Sequence, residues 1–146
     1  MTHVPTAYGW SLGLRASTPA DAIARVERGF TPAAADRLAD RLGLSPSALA
    51  GAAGASPRTL ARRRRAGRLA PEESDRLYRI ARLFESAVET FDTDGDRAAA
   101  EADARRWFHL PQWGLGGATP LAYAHTDPGA REVEALLDRV DHGVLG

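Results

Sequence analysis

The sequence contains no cysteine, no lysine and a single methionine, and its 19 arginines balance 19 acidic residues, so the formal net charge is zero. Without cysteine the chain can form neither disulfides nor thiolate metal sites, and a cysteine nucleophile is excluded. It also lacks an apolar run of the roughly 20 residues that span a bilayer, and its first residues lack the charged and apolar regions of a signal peptide. We therefore expect a soluble, cytoplasmic protein without membrane contact. Its 146 residues suffice to bury one core or two small ones.

Candidate catalytic and metal-binding groups are sparse and scattered. The four histidines lie in separate predicted elements, and none of them has a nucleophile or a set of further ligands beside it. The segment 92–96 alternates aspartates as a calcium loop does, but Arg97 stands where that loop needs glycine, and Asp103 where it needs a bidentate glutamate. We expect a protein that is not an enzyme and that uses no metal and no cofactor.

Helix start and stop signals recur along the first half of the chain. Four Ser/Thr-Pro pairs can each cap a helix with a hydroxyl group and begin it with proline: Thr18-Pro19, Thr31-Pro32, Ser45-Pro46 and Ser56-Pro57. Glycines that can end a helix follow most of them. In the first helix, Ile23, Val26 and Phe30 form a stripe that is expected to face inward. Little room remains for strands, so the sequence predicts an all-α protein.

The stretch from Gly54 to Arg68 has the strongest functional pattern. Leu49-Ala50, Gly54 and Leu60 have the spacing of a helix-turn-helix, with a small residue at the helix crossing, a glycine in the turn and an apolar anchor. Residues 41–71 hold seven arginines and no acid, although the chain is neutral. This asymmetry favours DNA binding by the second helix. The candidate contact residues are Ser56, Arg58, Thr59, Arg62, Arg63 and Arg65.

Other interpretations of the arginine run stay open. The chain uses arginine in place of lysine throughout, so the choice of arginine over lysine in this run is no argument for DNA binding. The run could instead be a solvated helix face. Arg63 falls where many such motifs place a second apolar anchor. Arg63 and Arg64 could instead brace the acidic start of the long helix predicted from Pro71 to Phe91. In that case they would contact protein.

These patterns divide the chain into three parts. Residues 1–17 show no clear period and are predicted to form a loose arm, although its alternating apolar residues, Tyr8, Trp10, Leu12 and Leu14, could pack. Residues 18–91 are predicted to form a helical bundle with the helix-turn-helix at 46–66 and the long connecting helix at its end. Residues 92–146 are predicted to form a small helical domain. Its last helix is expected to bury four apolar residues, Val133, Leu136, Leu137 and Val140.

A second motif lies in this last part. Its glycines at 114, 116 and 117 could form a phosphate cradle, but no strand precedes them and no lysine follows, so a tight turn is favoured. The motif resembles the toxin-binding domain of the Xre/MbcA/ParS antitoxin family through Trp113, Leu115-Gly116-Gly117, Thr119-Pro120-Leu121, Thr126, Gly129, Val133, Leu137, Arg139 and Gly143. Upstream, the helical Xre-type portion of those antitoxins is similar through Ser56, Arg58-Thr59-Leu60, Arg62-Arg63, Gly67, Leu69 and Arg76.

The resemblance implies a type II antitoxin. Its partner would be a cognate RES-domain toxin that consumes NAD or transfers ADP-ribose from it, and the C-terminal domain and tail would cover the toxin's active site. The helix-turn-helix would repress the shared operon by binding its operator DNA, as a homodimer within a toxin–antitoxin hetero-oligomer. The residues implied to face the toxin are Trp113, Leu115, Gly116, Pro120, Leu121, Arg139, Gly143, Val144, Leu145 and Gly146.

Two other functions are compatible with the same residues. The chain could be a plain helix-turn-helix repressor whose C-terminal domain only dimerises or senses a ligand. It could also be a structural adaptor without a DNA role. Trp113, Pro120 and Leu121 could then simply build the core of the small domain.

Overall fold

The computed structural model describes residues 8–15 and 18–143, and within these ranges the secondary structure is helical without strands. Eight α-helices are formed: α1 Pro19–Arg28, α2 Pro32–Leu42, α3 Pro46–Ala52, α4 Pro57–Ala66, α5 Pro71–Phe91, α6 Arg97–Phe108, α7 Pro120–Tyr123 and α8 Asp127–Asp141. Two short 3₁₀ turns, Trp10–Leu12 and Trp113–Leu115, complete the described secondary structure. The all-α prediction is confirmed. None of the described helices combines the length and the apolarity needed to cross a bilayer.

Hydroxyl caps set the starts of the first four helices. The side-chain oxygens of Thr18, Thr31, Ser45 and Ser56 each accept the backbone N–H three residues later, at 3.1 to 3.3 Å. Each helix then begins with proline, as the sequence predicts. Such caps satisfy N–H groups that the first turn of a helix leaves unpaired. Local chemistry therefore fixes these boundaries.

The chain folds as two compact units, the first ending at Arg82 and the second beginning at Leu83. The division falls within α5, whereas the division made from the sequence assigned all of that helix to the first domain. Each unit has its own apolar core. In the first unit the largest side chains that are fully buried are leucines and one isoleucine, Leu12, Leu38, Leu42, Leu49, Leu77 and Ile80, and Phe30 is 2% exposed.

Residues 8–15 belong to the segment predicted to be a loose arm, yet here the chain packs on α2. Leu12 is fully buried, and the guanidinium carbon of Arg41 lies 5.0 Å from the centroid of the Trp10 ring. Such a cation–aromatic contact adds to the apolar packing. The other residues of the predicted arm, 1–7 and 16–17, lie outside the described residues.

The first helix packs differently from its predicted stripe. Ile23 is 57% exposed, and the buried residue of α1 is Ala22. The prediction that Ile23 faces inward is therefore wrong. A periodic stripe identifies an apolar face, but it does not show whether another element covers that face.

The second unit is organised by an aromatic cluster between α5 and α6. The ring centroids of Phe84 and Phe108 lie 6.1 Å apart, and those of Phe91 and Trp107 lie 6.0 Å apart, both in edge-to-face geometry. Trp107 and Phe108 thereby anchor the end of α6 on α5. In α8 three of the four predicted core residues are buried: Val133, Leu136 and Leu137. Val140, in the last turn, is 36% exposed, so its predicted inward placement is wrong.

The turn between α3 and α4 requires glycine at position 54. Gly54 has a φ of +73°, which is the left-handed conformation that an L-side chain disfavours. A Cβ added there would lie 2.9 Å from the guanidinium carbon of Arg76. Gly51, three residues earlier in α3, has neither constraint, because nothing lies within 4 Å of an added Cβ.

Gly54→Ala should lower the free energy of unfolding by about 1 to 2 kcal/mol, since alanine is strained in the left-handed conformation. Gly51→Ala is the matched control and should raise it by about 0.5 to 1 kcal/mol, because alanine favours a helix over glycine. Urea denaturation of both variants measures the two changes. Changes of the same sign would contradict this description of the turn.

Candidate nucleic-acid and protein interfaces

A buried carboxylate joins α4 to α5. Nε of Arg63 donates to both carboxylate oxygens of Glu73, at 3.1 and 3.3 Å, and the backbone N–H of Ala70 donates to Oε1 at 2.8 Å. Glu73 is 7% exposed. Cations and N–H donors compensate such a buried carboxylate for its lost hydration. Arg63 therefore braces the start of α5, as one of the two interpretations of the sequence proposed.

Arg64 braces a different helix. Its Nη1 and Nη2 donate to the two carboxylate oxygens of Asp36 in α2, at 2.9 and 2.7 Å. This two-bonded pair lowers the pKa of Asp36, chiefly through the hydrogen bonds from Arg64. The same bonds raise the pKa of Arg64. The interpretation that Arg64 contacts the start of α5 is wrong, because its partner lies in α2.

The chain before α2 is also bonded to the chain before α5. The backbone N–H of Leu69 donates to the carbonyl of Phe30 at 2.9 Å, and the N–H of Phe30 donates to Oγ of Ser74 at 2.8 Å. Nη1 of Arg68 donates to the carbonyl of Gly29 at 3.0 Å. These bonds fix the segment that follows α4, and the two arginine pairs bond α4 itself to α5 and α2.

The remaining candidates for DNA contact lie along the outer face of α4. Ser56, Arg58, Arg62 and Arg65 are exposed and Thr59 is half-buried, while Leu60 is buried on the other side. Oγ of Ser56 donates to Oγ1 of Thr59 at 3.1 Å. No carboxylate of residues 8–15 and 18–143 pairs with Arg58, Arg62 or Arg65. We call Ser56, Arg58, Thr59, Arg62 and Arg65 the α4 face.

The ten residues implied to face a toxin occupy different environments. Leu115 and Pro120 are buried, and their side chains belong to the core of the second unit. Leu121 and Arg139 are half-buried. The exposed members are Trp113, Gly116 and Gly143. Val144, Leu145 and Gly146 lie outside the described residues.

Trp113 is 89% exposed, on a turn that is held by hydrogen bonds. The N–H of Gln112 donates to the carbonyl of Ala118, and the N–H of Gly117 donates to the carbonyl of Gln112, both at 3.0 Å. The buried Leu115 anchors the same turn. The alternative in which Trp113 builds the core is therefore wrong. An exposed tryptophan on an ordered turn is typical of a protein-binding surface.

Sequence reasoning missed two further exposed apolar residues of the second unit. Leu110 is 47% exposed and Tyr123 is 37% exposed. No periodic signal identifies them, because Leu110 follows the end of α6 and Tyr123 ends the single turn of α7. The family motif residue Gly129 has a structural role: an added Cβ would overlap the carbonyl oxygen of Tyr123.

Glu73→Ala should lower the free energy of unfolding by about 1 to 3 kcal/mol, because the N–H of Ala70 and the guanidinium of Arg63 lose their acceptor. Glu72→Ala is the control, since Glu72 lies exposed in the same first turn, and it should change stability by at most about 0.5 kcal/mol. Urea denaturation measures both. Equal losses would show that helix-end charge, and not the Arg63 contact, accounts for the effect.

Asp36→Asn should have a pH-dependent effect on stability. Pairing lowers the pKa of Asp36 below the value of about 3.9 for an unfolded carboxyl, so the pair stabilises the fold above that pH. The stabilisation is lost as the pH falls through the folded pKa. Because both side chains are partly exposed, the free energy of unfolding of wild type should exceed that of the variant by less than about 1 kcal/mol at pH 7. Urea denaturation between pH 7 and pH 2 should show this difference vanishing, and a difference that grows in acid would refute the assignment.

Two known families match the two units in order. Residues 21–82 match the antitoxin Xre-like helix-turn-helix domain, and residues 85–143 match the antitoxin Xre/MbcA/ParS C-terminal toxin-binding domain. An antitoxin Xre of Yersinia enterocolitica serotype O:8 / biotype 1B is 33% identical over 135 residues, which are 92% of this chain and 87% of that protein. An antitoxin Xre of Photorhabdus laumondii is 35% identical over 79 residues, 54% of this chain and 49% of that protein. The resemblance found in the sequence is confirmed, and the chain belongs to the Xre antitoxin family.

Proposed function

We propose that the protein is a type II antitoxin that neutralises a cognate RES-type toxin and represses its own operon. The second unit and the tail after it would cover the toxin's NAD-binding active site, and the α4 face would bind operator DNA. The observation that carries the first half is the exposure of Trp113 within the segment that matches a toxin-binding domain. The proposed activity is binding alone, with no catalytic step.

Trp113 has the properties of an interface anchor. A tryptophan covers about 150 to 250 Å² when a partner buries it, and at about 25 cal/mol per Å² this amounts to several kcal/mol. Its turn is already ordered by the bonds around Gln112, so binding requires little further ordering. We assign the buried Leu115 and Pro120 the role of supporting this turn from below. Gly116, Leu121 and Arg139, which have some exposure, would complete the contact surface.

The tail would act differently from the Trp113 turn. Residues 143–146 are small or apolar, and glycine stands at both ends. Such a segment can enter a narrow cleft at little steric cost. We therefore propose that Gly143, Val144, Leu145 and Gly146 obstruct the toxin's NAD pocket, whereas Trp113 supplies affinity.

The α4 face would contact DNA through its exposed arginines. Guanidinium groups bind phosphates and the acceptor edge of guanine, and the hydroxyls of Ser56 and Thr59 at the start of α4 suit contacts at the groove. One helix of ten residues reads few base pairs, so we propose that a homodimer binds an inverted repeat. Arg63 is left out of the proposed face, because Glu73 engages its guanidinium.

Trp113→Ala should weaken the complex with the toxin, taken as the product of the adjacent reading frame, by at least about 30-fold, as is typical of a tryptophan hot spot. Ile23→Ala is the control, since it removes another exposed apolar side chain from the first unit. Calorimetry of purified proteins and survival of cells that co-express the toxin measure the effect. Full binding and protection by Trp113→Ala would exclude its anchoring role. A neighbour that never binds the wild-type chain would favour the plain repressor.

Arg58→Gln combined with Arg62→Gln should reduce operator affinity at least tenfold and lower the slope of log affinity against log salt by about 2, because two phosphate or base contacts are lost. Arg106→Gln with Arg131→Gln removes the same charge from two exposed positions of the second unit and should leave both quantities nearly unchanged. Fluorescence anisotropy at several salt concentrations measures them. Equal effects of the two double variants would remove the α4 face from the DNA interface.

A further inference from the structure

An open pocket of about 150 Å³ in the first unit is lined by four arginines from three places in the chain. Arg25 and Arg28 lie in the last turn of α1, Arg37 lies in α2, and Arg68 follows the end of α4. The other lining residues are apolar or neutral, and none of the described residues that line the pocket is acidic. The pocket is therefore strongly cationic in a chain without net charge.

Two of these arginines lie against the backbone around the pocket. The guanidinium of Arg37 lies against Gly13, where an added Cβ would be 2.6 Å from Nη1. Arg68 uses Nη1 to donate to the carbonyl of Gly29 at 3.0 Å. A guanidinium has five N–H donors, so Arg68 keeps further donors for a ligand.

Helix electrostatics explains only part of the cluster. Basic side chains in a last turn compensate for the negative end of a helix, which accounts for Arg25 and Arg28. It does not account for Arg37 and Arg68, which come from other elements and line the same pocket. Four like charges close together raise the electrostatic free energy of the fold, and an anion among them lowers it.

We propose that this pocket binds a phosphate group, a property that goes beyond toxin neutralisation and operator recognition by the α4 face. Guanidinium groups match the oxygens of phosphate with paired, charge-assisted hydrogen bonds. The volume of about 150 Å³ lies below the roughly 300 Å³ at which pockets begin to hold whole small molecules. The pocket thus takes the phosphate, and the rest of the ligand stays outside. The phosphate belongs either to a free phosphorylated molecule or to the DNA backbone.

The direct test is thermal unfolding of the full chain in inorganic phosphate, compared with sodium chloride at the same ionic strength. At ten times the dissociation constant, phosphate should raise the melting temperature by about 3 to 6 °C more than chloride does. Arg28→Gln combined with Arg37→Gln should abolish this increment, and Arg25→Gln with Arg28→Gln, which leaves Arg37 on Gly13, should reduce it. The charge-matched control, Arg106→Gln with Arg131→Gln, should retain it. Circular dichroism establishes that each variant is folded.

The source of the phosphate follows from DNA binding by the same variants. If the DNA backbone supplies it, Arg28→Gln with Arg37→Gln lowers the salt slope of operator binding by up to about 2. If a free molecule supplies it, that slope equals the slope of the charge-matched control. The proposal is overturned if phosphate raises the melting temperature of wild type no more than chloride does. It is also overturned if phosphate raises the melting temperature of Arg28→Gln with Arg37→Gln as much as that of wild type. Neither result bears on Arg58 and Arg62, so the failure of this proposal is distinct from failure of the α4 face.

Discussion

The buried carboxylate of Glu73 is the contact on which the placement of α4 depends. It is 7% exposed and accepts hydrogen bonds from Arg63 of α4 and from the backbone before α5. Successive residues of a helix point about 100° apart, so the run of four arginines from 62 to 65 is divided between two faces. Arg63 and Arg64 pair with the carboxylates of Glu73 and Asp36, whereas Arg62 and Arg65 pair with no carboxylate of the described residues. The same arginine run thus fixes α4 through two ion pairs and leaves two further arginines available to a ligand.

In the second unit, too, neighbouring residues of one element have different roles, because one is buried and the other is exposed. Leu115 and Trp113 belong to one 3₁₀ turn, yet Leu115 is buried and Trp113 is 89% exposed. The core of the second unit includes the aromatic contact of Phe84 with Phe108. An apolar side chain that an ordered backbone holds in water costs free energy in the isolated unit. This cost is removed when a partner buries the side chain. This cost is consistent with selection for binding.

Much of the fold could be predicted from the sequence, because helix caps such as Ser56 act on residues three positions away. The pairing of Arg63 with Glu73 was also accessible, since the two lie ten positions apart. The partner of Arg64 was not, because Asp36 is 28 positions away and only tertiary structure brings it near. The exposure of Ile23 and Val140 could not be predicted either, since periodicity shows an apolar face without showing its neighbour. The arginine pocket likewise combines residues of α1, α2 and the segment after α4, which lie far apart in the sequence.

In the proposed function, this chain silences a toxin by closing its active site. The most direct measurement is NAD consumption by the purified product of the adjacent reading frame, with the full chain and with a chain that lacks residues 143–146. The full chain should suppress NAD consumption, and the shortened chain should still bind the enzyme but suppress consumption much less. Suppression by the shortened chain that equals suppression by the full chain, or an enzyme that consumes NAD unimpeded within the complex, would contradict the claim.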